Sequence, residues 1–544
     1  MRRALPISVF LLTAPARAVE PWADPDPEKP GVRHEVGAVG VVADAEYRAQ
    51  ATYVDPISLN TESQRNYAVI EHRGRFGGTI DFEEKVKLTA SLDVLDGVLF
   101  GDNGTFGGDP SSNGGLQVST RDPNVVKPCI RLREGGDPLS PSGYGFGLCE
   151  ADAISVRRLF GQVNTPIGVL RVGRQAVGIG LGVQNTDGDG RKNRFGIAYA
   201  GDSVDRVLFA TKPAEAFKEK SERNLREDEG LRVAAMYDRY VTDSPILYDD
   251  DVNQVAAAVL FSLPELGVAT DLEVMSFYAH RFNASYETLI HTVGGKVWAT
   301  FGPVRAGLDV AGNFGETMEV SDAYAVINND PVVAQEIRQI GARAVVRFDQ
   351  PLFSLYLETD YASGDGDPQA STPLTQFRWA EDNNVGLLMF EHVLRLQSAR
   401  ASSAGTEITR RLGATKFPSE RVDTMGAFTD AFAVFPQVDV RPHESVLLRG
   451  GVLVAWAPAP VVDPVACLQA RDGAVIDDDL VNFVGGKPGS FYGVELDGRA
   501  QWRFADHFAL DVEGAVFFPG DALEDANGDA VNSFLLQGRT TFYY

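Results

Sequence analysis

Apolar and polar residues alternate along much of the chain with a period of two. In residues 492–504, YGVELDGRAQWRF, apolar or small side chains occupy every second position from Val494, and charged or polar ones lie between them. Successive side chains of a strand point to opposite faces, so the pattern predicts a strand with one apolar and one wet face. A β-sandwich offers such surroundings as core and solvent, and a transmembrane barrel offers them as lipid and a wet lumen.

The spacing of the alternating segments favours the barrel. About 16–18 segments of ~10 residues show the pattern, which is the length that a tilted strand needs to cross a bilayer. Some joins are short, such as 302–303, whereas long loops are predicted at 97–150, 362–420 and 457–490. Short turns that alternate with long loops are typical of an up-and-down membrane barrel. We therefore predict an all-β fold, a closed antiparallel transmembrane β-barrel, with one helical loop insertion at 384–400.

The start of the chain has the features of an export signal. A basic pair at 2–3 precedes a short apolar stretch, and Ala-Arg-Ala at 16–18 fits a cleavage site of small residues. We predict a signal peptide at 1–18, a periplasmic lead-in at 19–33 and the outer-membrane barrel at 34–544. Beyond the leader the sequence has no apolar run of roughly 18 residues, so no membrane-spanning helix is expected.

The chain is acidic, with 75 Asp and Glu against 50 Lys and Arg and a net charge of -25. Nucleic acid is not expected as a partner, because binding to phosphates needs Lys and Arg. For an exported barrel the expected location is the outer membrane. The expected partners there are the lipid bilayer and a small polar or anionic solute.

Three segments carry a family resemblance. Residues 170–182 read LRVGRQAVGIGLG, 201–213 read GDSVDRVLFATKP and 356–368 read YLETDYASGDGDP. A strand with Gly-Arg-Gln, a Gly-rich turn and Asp-Arg-Val, followed later by Ser-Gly-Asp-x-Asp, resembles the alginate-export type of porin-like bacterial outer-membrane barrel. The final strand, with aromatic residues up to Tyr544, is similar to the C-terminal strand of such barrels. The resemblance implies closure by the last strand, recognition by the barrel assembly machinery, and a polysaccharide as cargo.

Charged residues that alternate against the apolar face are predicted to line the lumen and to select what passes. One interpretation is a ladder of cross-strand ion pairs that supports a polar wall, worth about 0.2–1 kcal/mol per pair. The other is an arginine track that attracts carboxylates by bidentate contacts. Arg171 and Arg174 lead the second interpretation because they lie in the Gly-Arg-Gln element. The predicted channel-lining residues are Arg157, Arg171, Arg174, Arg232, Arg305, Asp309, Arg343, Arg347, Glu358, Glu495, Asp497, Arg499 and Arg503.

One acidic loop has the spacing of a calcium site. Asn185, Asp187 and Asp189 place oxygen ligands at alternate positions, but an EF-hand that began at Asn185 would need Glu where Gly196 stands. The alternative is an Asx-Gly turn between strands. Calcium is therefore a candidate ligand, and no other cofactor is expected.

The chain has three cysteines. Cys129 and Cys149 lie in one Gly-, Pro- and Ser-rich segment, so a disulfide that closes this loop is a candidate in an oxidising compartment. Cys467 is then left without a partner. Sequence alone does not fix the pairing.

These observations predict a channel or export porin that passes a polar, anionic solute or polysaccharide through a charged lumen. An enzyme is not expected, because the seven histidines and three cysteines show no metal spacing and no nucleophile motif occurs. One alternative is a loop-closed, non-conducting barrel for adhesion or envelope structure. The other is a soluble secreted sugar-binding β-protein.

Overall fold

The alternating segments form one antiparallel sheet that closes on itself. This computed structural model describes residues 31–544 apart from 62–65, 84, 102–124, 133–143, 152, 179–180, 189–192, 198–200, 220–221, 225–228, 241–251, 285, 329, 370, 382, 414–421 and 472–478. The predicted signal peptide and most of the lead-in lie outside the described residues. Among the helices of the described part, none is long and apolar enough to cross a membrane.

In the described residues the strands are β1 Val32–Val36, β2 Val39–Asp55, β3 Tyr67–Phe82, β4 Val86–Gly101, β5 Val125–Leu132, β6 Tyr144–Ala151, β7 Ile154–Thr165, β8 Gly168–Val177, β9 Asp202–Thr211, β10 Gly230–Tyr240, β11 Asn253–Leu266, β12 Ala269–Asn283, β13 Thr288–Phe301, β14 Val304–Thr317, β15 Gln335–Asp349, β16 Phe353–Ala362, β17 Ala431–His443, β18 Val446–Trp456, β19 Phe491–Phe504, β20 Phe508–Pro519 and β21 Ser533–Tyr543. The helices are α1 Pro213–Ala216, α2 Glu319–Asn328, α3 Arg395–Arg411, preceded by a π-helical stretch Met389–Leu394, and α4 Pro464–Ala470.

The first and last long strands pair with each other, which closes the sheet. β2 pairs with β21 from Glu46 opposite Tyr543 to Asp55 opposite Phe534. β1 pairs with the start of β2, and β5 pairs with β6 in a separate hairpin within a loop. The described strands of the closed ring therefore number 18, which confirms the predicted barrel. Closure leaves the sheet without the open edges that promote aggregation.

The two ends of the barrel differ in their connections. Among the described strands, two residues join β11 to β12 and β13 to β14, whereas loops 178–201, 363–430 and 457–490 lie at the opposite end. The loop predicted at 97–150 begins later, at 102, because β4 stays paired with β3 as far as Gly101, across two register shifts. We call the two ends the turn end and the loop end. In a membrane barrel the long loops face outward.

The outer surface of the barrel is apolar and is bounded by aromatic clusters. At the turn end Phe508 packs on Trp502 and Phe542, with ring centroids 6.3 and 5.2 Å apart. At the loop end Trp456 packs on Phe432 and Phe491 at 6.1 and 5.7 Å. The clusters are separated along β19 by ~36 Å of strand, or about 28 Å across the membrane at a tilt of about 40°. This height matches the hydrocarbon thickness of a bilayer.

The helices lie in the long loops and pack on one another. The predicted helix at 384–400 begins later, at Met389, and continues to Arg411. It begins later because residues 385–388 form a bend and a turn whose N–H groups bind the barrel wall. No helix was predicted at α2 or α4. Both pack on α3 through an apolar cluster that includes Val320, Ile408 and Leu468.

Candidate functional site in the barrel lumen

The inner face of β14–β16 carries a cross-strand row of charges. Asp309, Arg343 and Asp360 are directly opposite one another in register. The Arg343 guanidinium donates to Glu358 Oε1 at 2.5 Å and to Asp360 Oδ1 at 3.0 Å. It also stands 4.6 Å from the ring centre of Trp379. At these positions the charges form the predicted ladder of ion pairs.

A second row of charges crosses β17–β21. Arg449 binds Asp439 through both carboxylate oxygens at 2.7 and 2.9 Å. Arg499 donates to Asp511 at 2.9 Å, and Arg539 lies 3.1 Å from Glu513. The pairs link neighbouring strands, and buried guanidinium–carboxylate pairs of this kind hold their partners in a fixed geometry. This row therefore makes a rigid polar wall on one side of the lumen.

Loop 178–201 folds inward and is held by this wall. Its Arg194 side chain donates to Gln437 at 2.5 Å and to Asp439 at 2.7 Å, and lies 4.0 Å from the ring centre of Tyr356. The Arg194 carbonyl accepts hydrogen bonds from the wall arginines Arg499 and Arg449. On the same side of the ring, the backbone N–H of Leu181 donates to Asp309 of β14 at 2.5 Å. On the opposite side, Arg75 of β3 donates to the Gly188 carbonyl of the loop at 2.8 Å. The loop thus spans the lumen from wall to wall.

Loop 363–430 enters beside it and is held by one carboxylate. Glu495 on β19 accepts the backbone N–H groups of Leu387 and Leu388 through Oε1 at 2.7 and 2.9 Å, and that of Met389 through Oε2 at 2.6 Å. Charged acceptors make hydrogen bonds of about 1.5–3 kcal/mol each. Gly386 permits the approach, since a Cβ there would lie 2.8 Å from Glu495 Oε1.

Apolar side chains fill the space between the two loops and the outer half of the wall. Phe390 and Phe428 pack with ring centroids 4.8 Å apart and ring planes tilted by 60°, and Phe195 of loop 178–201 stacks on Phe435 of the wall at 5.5 Å. The two loops therefore narrow the lumen through a packed contact, and not through loose chain. A small cavity remains beside this contact, lined by residues that include Arg194, Arg343, Tyr356, Glu358, Asn383 and Gly386.

Several titratable groups of the loops have shifted pKa values because they are buried. Burial raises the pKa of Asp430 to about 8, and that of Asp463 to about 6. Burial lowers the pKa of His392 to about 3, with the Arg395 charge acting in the same direction, and lowers that of Arg400 to about 10. These groups lie in the inward loops and in the helices above them, so the loop assembly contains charge states that depend on pH.

The other predicted lumen residues lie at three levels. Near the loop end, Arg157 donates to the Gly201 carbonyl at 3.1 Å. On the wall, Asp497 is buried beside Glu495, with neither carboxylate oxygen hydrogen-bonded within the described residues. Arg232 lies nearer the turn end and bonds Ser262. The residues towards the turn end have nearby partners: Arg171 bonds Gln162, Arg305 approaches Asp349, Arg347 bonds Asp349, and Arg503 bonds Gln501.

Arg174 does not line the lumen, which corrects the prediction for this residue. It lies on the outward face of β8 with Val172, which is 49% exposed, and pairs with Asp205, whose side chain is 53% exposed. Residues three apart on a strand point to opposite faces, so Arg171 and Arg174 could not share one lumen track.

The candidate calcium site and disulfide stay predictions. Asn185 is buried and Asp187 is half-buried, whereas Asp189 lies outside the described residues. In the described part, no group of three or more His, Cys, Asp or Glu side chains is placed to hold a metal ion. The backbone register sets Cys129 opposite Gly147, two positions away from Cys149, and the cysteine side chains lie outside what is described.

The sequence pattern did not single out Arg75, Asp93 and Arg206 of the lumen wall, nor the loop residue Arg194. Arg75 binds Asp93 through both oxygens at 2.6 and 2.7 Å, and Arg206 binds Asp238 at 2.6 and 2.8 Å. Arg73 and Arg75 stand two positions apart on β3, which was a usable signal. No local pattern marks Arg194, because its role depends on the inward path of the loop.

A closed barrel with an apolar outer belt of bilayer height spans a membrane through its strands. This barrel lies in the outer membrane. No family model and no curated protein matches the sequence.

The solved structures that match include three of low sequence identity. OpdK of Pseudomonas aeruginosa, solved with vanillate, has 8% identity and a TM-score of 0.45, over 92% of this chain and 98% of that one. OccAB1 of Acinetobacter baumannii has 9% identity and a TM-score of 0.44, over 92% and 96%. A loop-deletion mutant of OmpT, an outer membrane protein of Vibrio cholerae, has 8% identity and a TM-score of 0.34, over 93% of this chain and 100% of that one. None of them confirms the alginate-export resemblance.

Proposed function

We propose that the protein is an outer-membrane channel that passes small polar solutes, with a preference for an anionic group. The observation that carries the proposal is the charged inner wall, which continues across β14–β21 and meets the polar backbone of the inward loops. Such a wall stabilises water and polar solutes in the lumen, and selection then follows from its diameter and charges.

The anionic preference comes from the small cavity beside the two loops. Arg194 and Arg343 both line it, and the Arg194 guanidinium lies 4.0 Å from the ring centre of Tyr356. Guanidinium groups bind carboxylates in planar, bidentate contacts. A polysaccharide chain would require both loops to be displaced, so small solutes suit this lumen better than the polymer cargo of the resemblance.

A second candidate function is the loop-closed barrel without conduction. It is favoured by the apolar contact around Phe390 and Phe428, which packs as a protein core does. The two candidates differ in whether the inward loops leave a path for solute, and this difference is measurable.

Swelling of liposomes that contain the refolded full chain tests the proposal. We expect swelling in small neutral sugars and faster entry of a small carboxylate than of a cation of equal size. Glu495→Ala should increase the rate, because the inward segment loses three charged hydrogen bonds. Glu336→Ala, at an exposed position outside the lumen, is the matched control. A wild type that is impermeable beside a permeable Glu495→Ala variant would favour the closed barrel, and two impermeable proteins would rule out the channel.

A further inference from the structure

Three charged residues lie side by side on the outward face, near the loop end. Arg174 on β8 is opposite Asp205 on β9, and Asp205 is opposite Arg239 on β10. The Arg174 guanidinium donates to both oxygens of Asp205 at 3.0 and 3.2 Å. All three side chains remain accessible from outside the barrel. We call Arg174, Asp205 and Arg239 the rim row.

The rim row lies at the edge of the lipid-facing surface. The next outward row towards the turn end is Val172, Val207 and Tyr237, each 47–49% exposed. The Tyr237 hydroxyl donates to Asn253 Oδ1 at 2.6 Å, an arrangement that suits a ring with one apolar and one wet end. Charges on the lipid face are costly at the bilayer midplane and cost little near the interface. The rim row therefore sits at headgroup level.

Two guanidinium groups flank a single carboxylate in this row, so it is locally cationic on a chain with a net charge of -25. A guanidinium binds phosphate in the same planar, bidentate manner in which Arg174 binds the Asp205 carboxylate. Because the row continues the lipid-facing belt, a lipid headgroup is the ligand that reaches it. We propose that the rim row binds the phosphate of a lipid in the outer leaflet. This inference does not depend on conduction through the lumen.

Native mass spectrometry of the refolded full chain tests the proposal, with phosphorylated lipid A and enzymatically dephosphorylated lipid A as probes. The wild type should retain the phosphorylated lipid roughly ten- to a hundredfold more tightly, as expected for one or two charge-assisted hydrogen bonds. Arg174→Gln with Arg239→Gln should abolish this preference. Asp205→Asn should strengthen it, because the competing carboxylate is removed.

Arg338→Gln is the matched control. Arg338 is also outward and exposed, but it binds Glu336 at 2.6 Å, and Glu316 lies opposite Glu336 in register. This substitution should leave lipid retention unchanged. Retention by the double variant equal to that of the wild type would overturn the proposal, as would equal binding of the dephosphorylated lipid. Binding of inorganic phosphate as tight as that of the lipid would also overturn it.

The Asp205→Asn variant keeps the test decisive if the double variant fails to fold. Folding of each variant is checked by the change in gel mobility on heating, which a closed barrel should show. A correctly folded Asp205→Asn protein that binds the phosphorylated lipid no more tightly than the wild type contradicts the proposal. Tighter binding supports it.

Discussion

Gly386 and Glu495 illustrate how single residues set the path of a loop through the lumen. Gly386 has φ +76°, a conformation that L side chains rarely adopt, and a Cβ there would lie 2.8 Å from both Glu495 Oε1 and a methyl carbon of Leu453. The glycine is therefore required by backbone conformation and by close approach together. These two requirements can be separated by experiment.

Gly386→Ala should loosen the inward segment more than Gly413→Ala does. Both glycines have positive φ, but a Cβ at Gly413 meets nothing within 4 Å. The control therefore reports the backbone cost alone, about 1 kcal/mol or more, and Gly386→Ala adds a steric clash. Hydrogen exchange at residues 386–389 is the measurement. Equal protection in the two variants would contradict the assigned role of Gly386.

Asp430 should make the loop assembly sensitive to pH. Its pKa is raised to about 8 by burial, with nearby Asp365 adding to the rise, whereas an unfolded aspartate has a pKa of about 3.9. A group whose pKa is raised on folding contributes stability below the unfolded pKa, and this stability is lost as pH rises through the folded pKa. Ionisation makes the burial of Asp430 unfavourable, although the Ala459 N–H still donates to its carboxyl at 3.1 Å. The native packing of Asp430 should therefore loosen as pH rises from about 4 to 8.

Limited proteolysis of loop 363–430 across this pH range checks the Asp430 prediction. Cleavage of the wild type should increase as pH rises, after correction for the protease's own pH dependence. Asp430→Asn cannot titrate, so its cleavage should stay level. A wild type with the same profile as Asp430→Asn would show that Asp430 does not control the loop.

At the scale of elements, cross-strand ion pairs hold the wall of β17–β21. Arg499 and Asp511 are both fully buried, and Arg499 also donates to the Arg194 carbonyl of the inward loop. Removing one member of a buried pair leaves an uncompensated charge and costs about 3–5 kcal/mol, whereas replacing both by apolar residues is often neutral.

Arg499→Leu should therefore destabilise the barrel by about 3 kcal/mol or more, and Arg499→Leu with Asp511→Leu should recover part of this loss. Urea unfolding of the refolded protein in detergent measures both. The Arg305 to Asp349 pair, which is 3.6 Å apart and partly exposed, offers a control whose loss should change stability by less than about 1 kcal/mol. A double variant as unstable as Arg499→Leu would contradict the pairing argument.

The strands were predictable from sequence because a period of two reports which face each residue occupies. Asp309, Arg343, Arg499 and Glu495 were found in this way. Arg174 was wrongly predicted to line the lumen, because the Gly-Arg-Gln resemblance does not report which face of the strand a residue occupies. Arg194 and the contacts of Leu387–Met389 with Glu495 were not predictable, since a loop that folds inward is held by long-range partners that leave no local pattern.

At the scale of the whole molecule, closure and filling of the barrel have separate causes. Closure follows from the pairing of β2 with β21, and an apolar exterior bounded by aromatic clusters places the ring in the membrane. Filling follows from two loops that bind the charged wall through Arg194 and Glu495. Conduction depends on how much of the lumen those loops leave open.

Single-channel recording of the refolded full chain in a planar lipid bilayer tests the central claim most directly. We predict discrete current steps of small conductance, because two loops narrow the lumen, and larger steps for Glu495→Ala. Reversal potentials under a salt gradient should show preference for the anion. Membranes that contain correctly folded protein and show no current steps, with either wild type or Glu495→Ala, would contradict the account of this barrel as a channel.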